Sequence, residues 1–388
     1  MWFDESLDAT LTRLSAAHRP RHLRSVAVPG ARLTLADHRS LIDASSNDYL
    51  GLSQHPLLKA RACEWVERYG AGSRASRLVT GTLDAVIALE ARLADFKGKE
   101  AALIFNSGYQ ANAAVLPALF ELAGGRNALV FTDRLNHASL HAGCALAEVK
   151  QIRFRHNDLA HLEELLASHE GKPAFIITES VFSMDGDRTD IAALGEIARR
   201  HNALLYVDEA HATGVLGPHG SGLAASTPKA VVMGTLGKAF GAAGAYIAGS
   251  RNLIDYLINR CAGFIYSTAP APAACGAVDA ALDLLPTMDA ERHLLATRGE
   301  RLRERLAAAG ISTLNSSTHI VPAIMGSESD ALAAQKALED IGILAIAIRP
   351  PTVPEGLSRL RFSLSSAHTD ADFETLLDAV GILSKHSA

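Results

Sequence analysis

Residues 203–214 read ALLYVDEAHATG, an apolar run that ends abruptly in Asp208, Glu209 and His211. Residues 230–241 read AVVMGTLGKAFG, a second apolar run that leads into Thr235 and Lys238. Short, continuously apolar runs of this kind are typical of strands that are buried on both faces of a sheet. The two runs therefore predict neighbouring strands whose ends carry reactive side chains.

The same pattern continues along most of the chain from Ser45 onward, where short apolar runs alternate with longer helical stretches. Further strands are predicted at 101–105, 128–132, 149–154, 174–178 and 244–248, with helices such as 159–168 and 191–201 between them. Strand–helix alternation with apolar strands predicts an α/β fold built on a mostly parallel central sheet.

The chain is expected to divide into three parts. Residues 1–44 contain a predicted amphipathic helix, 4–17, and a hairpin around 32–42, and residues 45–285 form a large domain. Residues 286–388 form a smaller C-terminal α/β domain. Its predicted elements are a helix at 286–309, a strand at 320–325, a helix at 329–341, strands at 344–348 and 360–364, and a helix at 369–383.

Composition excludes several classes of function. The chain has 388 residues, of which 48% are hydrophobic and 20% charged, and its net charge of −5 does not favour nucleic acid or an anionic membrane surface. Its cysteines are far apart in sequence, which argues against a zinc site or a disulfide scaffold: Cys63, Cys144, Cys261 and Cys275. The start is acidic and unlike a signal peptide, and no apolar stretch approaches the roughly 20 residues that span a bilayer. We expect a cytoplasmic protein without a metal site.

Polar side chains follow each of the predicted strands. In a mostly parallel sheet the carboxyl ends of the strands meet at one edge, where ligands bind. We therefore expect one crevice to collect the polar residues that follow the strands: Asn106, Ser107, Gly108, Asn136, His137, residues 179–185, Asp208 and Thr235.

Lys238 supplies an amine that can bind a carbonyl cofactor covalently, and Asp208 supplies a carboxylate for a protonated pyridine nitrogen. Together with His211, which can bond a ring hydroxyl, they suit pyridoxal 5′-phosphate (PLP). His137 can stack on the ring or transfer protons. The phosphate of such a cofactor needs main-chain N–H groups at a helix start and hydroxyl donors, for which the candidates are Gly108, Tyr109, Thr235 and Thr268.

Residues 208–211 also spell the DEAH box of helicase-type NTPases. That reading requires a phosphate loop of the form G-x-x-x-x-G-K-[S/T] around Lys238. Val232 stands where the first glycine is needed, and Ala239 stands where serine or threonine is needed. The helicase hypothesis therefore fails.

Residues 235–244, TLGKAFGAAG, resemble the PLP-lysine signature of fold-type I, class II aminotransferase-like enzymes. The stretches 46–52, 136–139, 182–187 and 207–217 resemble the α-oxoamine synthases, and the resemblance covers nearly the full chain. Within that family, residues 347–354, AIRPPTVP, followed by Arg359 and Arg361, are similar to the biotin-pathway branch.

The resemblance implies PLP on Lys238, with Asp208 at its ring nitrogen, His211 at its hydroxyl and His137 on its ring. It also implies cofactor contacts from Gly108, Tyr109, Thr235 and Ser183, and a homodimer in which Thr268 serves the neighbouring subunit's phosphate. The implied substrates are L-alanine and a pimeloyl thioester, on coenzyme A or on an acyl-carrier protein. Their implied contacts are Arg21, Asn47, Arg349 and Thr352.

One segment departs from the family pattern. Residues 72–77 read GSRASR where the family has a glycine-rich Gly-Ser-Gly-Gly-Ser segment near the active site and dimer interface. A left-handed backbone at Arg74 or Ala75 would be strained. The segment is a candidate for altered acyl-donor preference.

Two alternatives stay open at this point. A sister α-oxoamine synthase, such as one that joins glycine to acetyl-CoA, uses the same core residues. A PLP-binding protein without turnover is the alternative outside enzymes. Such a protein would not need all five of these residues together: Lys238, Asp208, His211, His137 and Arg349.

Overall fold

The computed structural model describes residues 1–28, 30–169, 171–225 and 227–385. It contains two compact units. Residues 48–183 and 188–292 form the large unit, and residues 1–47, 184–187 and 293–388 form the small unit. In the described part of the chain, no helix is both long and apolar enough to cross a bilayer.

The elements are numbered along the chain. The strands are β1 (Val26–Ala27), β2 (Arg32–Leu35), β3 (Ser40–Asp43), β4 (Ala101–Phe105), β5 (Leu129–Asp133), β6 (Gln151–Phe154), β7 (Ala174–Glu179), β8 (Ala203–Asp208), β9 (Val231–Thr235), β10 (Ala245–Gly249), β11 (Ile320–Gly326), β12 (Ile343–Leu344), β13 (Ile346–Ile348) and β14 (Ser358–Ser363). The helices are α1 (Trp2–Ala16), α2 (Pro56–Tyr69), α3 (Asp84–Phe96), α4 (Gly108–Glu121), α5 (Ala138–Leu146), α6 (Leu159–Ala167), α7 (Ile191–Arg200), α8 (Arg251–Arg260), α9 (Ala262–Ile265), α10 (Pro272–Leu284), α11 (Asp289–Ala308), α12 (Glu328–Asp340) and α13 (Asp370–Leu383). A π-helical turn covers Arg77–Gly81.

The large unit is built on a sheet with the strand order β4-β10-β9-β8-β7-β5-β6. Strands β9, β8, β7, β5 and β6 are mutually parallel, and β10 is antiparallel to both β4 and β9. The strands of this sheet lie where the sequence predicts them. The predicted α/β fold with a mostly parallel central sheet is therefore confirmed.

Both faces of this sheet are buried. Along β7, Phe175 and Ile177 point into one hydrophobic cluster, to which α4, α5 and α8 contribute, whereas Ile176 points into a second cluster with α6 and α7. On β8, Tyr206 points into the first of these clusters and Leu205 points into the second. Each buried side chain of this size stabilises the fold by about 1.5–3 kcal/mol. Two-sided burial explains why the strands read as continuous apolar runs rather than as alternating ones.

The small unit contains two sheets. In the first, β1, β2 and β3 form an antiparallel meander, which includes the predicted hairpin, and β3 pairs in parallel with β12. In the second, β14 lies between β11 and β13 and is antiparallel to both. Helix α1 begins two residues earlier than predicted, and none of its residues is buried.

The single strand predicted at 344–348 is wrong. The chain changes sheets at Ala345, because Ile343 pairs with Ile42 in one sheet and Ile346 pairs with Arg361 in the other. The N–H of Ile346 donates to Ser45 Oγ at 2.9 Å. Since both halves of the run are apolar, the sequence pattern does not reveal the change of partner.

Candidate active site

A cavity of about 190 Å³ lies in the large unit at the carboxyl ends of β7, β8 and β9. It is lined by Gly108, Tyr109, Asn112, His137, Ser139, Glu179, Asp208, Ala210, His211, Met233, Thr235 and Lys238. Residues that follow five separate strands thus meet in one place, as the parallel topology predicts: Gly108, His137, Glu179, Asp208 and Thr235. The other residues expected in the crevice are not among those that line it: Asn106, Ser107, Asn136 and residues 180–185.

Lys238 lies in the loop after β9, where its amine contacts an imidazole. Its Nζ is 2.7 Å from His211 Nε2, and His211 Nδ1 is 2.6 Å from the hydroxyl of Tyr49. The loop turns back at Gly241, whose N–H donates to the Lys238 carbonyl at 2.8 Å. Gly241 has a φ of +64°, and a Cβ there would lie 2.4 Å from the nitrogen of Ser53. The turn that presents the amine therefore requires glycine.

Asp208 is the last residue of β8 and is only 3% exposed. Its Oδ2 accepts a hydrogen bond from Asn112 Nδ2 at 2.8 Å, and its Oδ1 accepts from the N–H of Ala210 at 2.9 Å. Asn112 is held in turn by the hydroxyl of Tyr206, which donates to Asn112 Oδ1 at 2.7 Å. Donors on both oxygens favour the ionised carboxylate.

His137 caps the N-terminus of α5 and lines the cavity. Its ring Nδ1 is 2.7 Å from Ser139 Oγ. The main-chain N–H of His137 donates to Glu179 Oε1 at 2.6 Å. Burial holds the pKa of His137 below its usual range; the Asp208 carboxylate opposes this effect and the Lys238 amine reinforces it. The lowered pKa favours the neutral imidazole, which can act as a hydrogen-bond donor.

Glu179, the last residue of β7, is 2% exposed; the sequence predicts its place in the crevice but no catalytic or binding role for it. Burial raises its pKa well above the usual range for a carboxyl group, and the neighbouring charge of Asp208 raises it further. A signal for Glu179 was present in the sequence, because it ends the apolar run 174–178 just as Asp208 ends 203–207. Asn112 and Ser139 lie within helices and carry no such signal.

The first turn of α4 forms another wall of the cavity. Ser107 caps this helix by accepting the N–H of Gln110 at 3.2 Å, and Gly108 and Tyr109 line the cavity. Thr235 Oγ1 donates to the Gly244 carbonyl at 3.2 Å. The N-terminus of a helix presents unpaired N–H groups and a partial positive charge, so this wall suits an anion.

The other predicted residues lie elsewhere. Ser183 and Thr268 belong to the large unit but are not among the cavity-lining residues; the Thr268 carbonyl accepts from Asn106 Nδ2 at 2.8 Å. Four predicted substrate contacts belong to the small unit: Arg21, Asn47, Arg349 and Thr352.

Within the small unit these four residues already have partners. Arg21 Nη2 donates to Thr352 Oγ1 at 3.1 Å, and Arg349 donates to the carbonyls of His18 and Pro20. Asn47 Oδ1 accepts from Arg361 at 3.3 Å. Two of the five N–H donors of Arg349 are thus directed at main-chain carbonyls.

The segment that departs from the family pattern contains one left-handed residue. Arg74 has a φ of +65°, a conformation that costs a non-glycine residue about 1–2 kcal/mol. Nearby, Arg77 makes a buried bidentate ion pair with Glu90, at 2.8 and 2.9 Å, and Glu90 Oε1 also accepts the N–H of Ile104 in β4. The ion pair anchors the segment to the sheet.

Comparisons with known proteins agree with this architecture. The model of the family "Aminotransferase class I and II" matches residues 39–380. An 8-amino-7-oxononanoate synthase from Gluconacetobacter diazotrophicus is 55% identical over 384 residues, which are 97% of this chain and 96% of that protein.

Two solved structures are also similar. A serine palmitoyltransferase variant from S. paucimobilis with bound PLP and myriocin superimposes with a TM-score of 0.89 at 26% identity, covering 98% of this chain and 97% of its own. An 8-amino-7-oxononanoate synthase from Francisella tularensis gives a TM-score of 0.77 at 29% identity, covering 89% of this chain and 98% of its own. On the family match and the near full-length relative, the chain belongs to the class I and II aminotransferase family.

Proposed function

We propose that this protein is an 8-amino-7-oxononanoate synthase, which condenses L-alanine with a pimeloyl thioester in biotin biosynthesis. The observation that carries the proposal is the meeting of the Lys238 amine, the Asp208 carboxylate and the His137 imidazole in one cavity. Relatives that carry the name of this enzyme and align along nearly the whole chain support the choice of substrates.

The cavity residues fit PLP. Lys238 offers the amine that binds its aldehyde carbon, Asp208 offers a buried carboxylate for the ring nitrogen, and His211 lies beside the amine. The first turn of α4 at Gly108, together with Thr235, offers donors for the phosphate. When bound, PLP supplies a protonated pyridine ring that accepts the electron pair left when the amino acid loses its α-proton.

The protein's own groups manage protons and orientation. Lys238 Nζ takes the α-proton of L-alanine and later returns it, while His211, which is itself held by Tyr49, orients that nitrogen. The α-carbon of alanine joins the pimeloyl carbonyl carbon, the thiol leaves, and the alanine carboxylate departs as CO₂. The neutral imidazole of His137 donates a hydrogen bond to the new ketone oxygen.

Four residues are proposed as contacts to the substrates. Arg349 presents a planar guanidinium that matches a carboxylate with two parallel hydrogen bonds, and Thr352 follows it closely in sequence. Asn47 and Arg21 complete the proposed contacts, with Arg21 toward the acyl donor. Ser183 is proposed as a further cofactor contact, and Thr268 as a contact to the phosphate of a neighbouring subunit.

The active form is proposed to be a homodimer in the cytoplasm. Several large apolar side chains of the large unit are exposed in the single chain, as a buried subunit contact requires: Leu78, Val79, Ile87 and Tyr266. Leu78 and Val79 belong to the π-helical turn that follows the segment 72–77.

A sister α-oxoamine synthase is the second candidate, favoured by the similarity to serine palmitoyltransferase. The deciding experiment is a matrix of amino acids against acyl thioesters, with thiol release and product mass as readouts. The amino acids are alanine, glycine and serine, and the donors are pimeloyl-CoA, pimeloyl-carrier protein, acetyl-CoA and palmitoyl-CoA. We expect turnover with alanine and a pimeloyl donor; turnover confined to glycine or serine would overturn the assignment.

Replacing the lysine tests the chemistry directly. Lys238→Ala should lower kcat by at least about 10²-fold, because the group that moves the α-proton is lost. Borohydride should attach PLP covalently to the wild type and not to this variant. Lys229→Ala, at an exposed lysine just before β9, is the matched control and should keep both properties. A Lys238→Ala protein with normal turnover would contradict the role.

A further inference from the structure

Two carboxyl groups lie side by side in the wall of the cavity. Glu179 and Asp208 are the final residues of the parallel strands β7 and β8, and they are register partners in the pairing of those strands. They are 2% and 3% exposed, and both line the cavity. Two adjacent carboxylates that are shielded from water do not both ionise readily, since each charge destabilises the other.

The hydrogen bonds of the two carboxyl groups differ. Asp208 accepts on both oxygens, from Asn112 Nδ2 and from the N–H of Ala210. Glu179 Oε1 accepts the N–H of His137 at 2.6 Å. Donors stabilise a carboxylate relative to the neutral acid, and Asp208 has donors on both of its oxygens. The placement of these donors favours the negative charge on Asp208.

The surrounding charges agree with this assignment. Burial is the main cause that raises the pKa of Glu179; Asp208 and Asp133, at the end of β5, add to it. The main-chain N–H of His137 and the Lys238 amine oppose it without cancelling it. Burial lowers the pKa of the His137 imidazole, and the His211 imidazole lies within hydrogen-bond distance of the Lys238 amine and the Tyr49 hydroxyl.

We propose that Glu179 is a positioning residue that keeps the single proton of the Glu179–Asp208 pair. In this neutral form it leaves Asp208 as the only charge in the pair. Its Oε1 also anchors His137 by accepting the main-chain N–H of that residue. The inference rests on the proposed function in one respect, namely that the charge on Asp208 serves the pyridine nitrogen of PLP. The location of the proton is a property of the protein itself.

A pH dependence follows. At pH values below the raised pKa of Glu179 the pair carries one negative charge, and the cavity is in its working state. As pH rises through that pKa, a second carboxylate forms beside Asp208, and the two repel. Glu179 is then no longer in its neutral form, so kcat should fall as pH rises through the pKa of Glu179.

The test compares Glu179→Gln with Glu179→Ala. Glutamine keeps an oxygen that accepts from His137 and is neutral at every pH, so E179Q should retain kcat near the wild-type value and lose the alkaline decline. Alanine removes the acceptor, and E179A should lower kcat about 10- to 100-fold through misplacement of His137. Glu196→Gln, at an exposed glutamate of α7, is the matched control and should keep the wild-type pH profile. If E179Q loses as much activity as E179A, or keeps the alkaline decline, the proposal is wrong.

Infrared spectroscopy gives a readout that does not need turnover. The difference spectrum between wild type and E179Q at neutral pH should contain the carbonyl band of a protonated carboxyl group, and E196Q should not produce it. The band should disappear on titration to alkaline pH. A difference spectrum without the band would overturn the proposal. A wild type that contains the band but has no synthase activity would instead overturn the proposed function alone.

Discussion

Among the single residues of the cavity, chemically similar side chains differ in their hydrogen bonds and neighbouring charges, and we therefore propose different roles for them. Asp208 has donors on both oxygens, whereas Glu179 is buried against it with the His137 N–H on its Oε1. The two carboxyl groups therefore differ in protonation although they end adjacent strands. The same principle makes His137 neutral and places His211 as a partner of the Lys238 amine.

The charge on Asp208 can be tested without changing its size. Asp208→Asn should slow exchange of the alanine α-proton with deuterated water by at least about 10²-fold, because the pyridine nitrogen loses its anionic partner. Nuclear magnetic resonance of alanine in deuterated buffer measures this step without the acyl donor. PLP should still be reducible onto Lys238 in this variant. Exchange at the wild-type rate would exclude the proposed role of Asp208.

At the scale of elements, a buried ion pair connects α3 to the loop that carries His211. Lys97, at the end of α3, donates to Glu209 Oε2 at 2.6 Å, and both side chains are fully buried. Glu209 Oε1 accepts the N–H groups of Leu223 and Ala224, at 2.6 and 2.9 Å. Glu209 follows Asp208 directly, so this pair holds the loop after β8 in place.

Breaking this pair should cost stability. Lys97→Met leaves an uncompensated buried carboxylate at Glu209 and should lower the free energy of unfolding by about 3–5 kcal/mol. Urea unfolding followed by circular dichroism measures the change. Arg199→Met removes the exposed partner of Glu196 and should change stability by less than about 1 kcal/mol. Equal effects of the two substitutions would contradict the assigned importance of the buried pair.

At the scale of the whole molecule, the chain forms two compact units, and the small unit combines the N-terminal segment with the C-terminal region. The predicted division into residues 1–44, 45–285 and 286–388 stays a prediction. The proposed catalytic cavity belongs entirely to the large unit. The proposed homodimer adds a further level of organisation.

The homodimer leads to a prediction about mass. The wild type should sediment at twice the chain mass of 41.0 kDa, and Val79→Asp should shift the species toward 41.0 kDa at low concentration. The reason is that Val79 is 73% exposed in the single chain and would be covered by the partner, so a buried, unpaired charge would oppose association. Sedimentation velocity over a range of concentrations measures both. A wild type that sediments at 41.0 kDa at every concentration would refute the dimer.

Much of the fold and part of the cavity were predictable. Buried parallel strands must be apolar along their whole length, so the strands of the large unit stand out as runs, and the polar residue after each run marks the ligand edge of the sheet. Lys238, Asp208, His137 and Thr235 were found in this way. The change of sheets at Ala345 was not, because an apolar run does not indicate which strand it pairs with.

The sequence by itself determined the strand–helix alternation, the edge at which the reactive groups gather, and the position of the lysine to which the chemistry is assigned in our proposal. These features depend on local pattern and on the general geometry of parallel sheets. Only the tertiary structure decided which groups surround Asp208, that Glu179 lies beside it, and that Asn112 on α4 holds it. Those contacts join residues far apart in the chain, and the protonation of a buried group depends on all the charges and donors packed around it.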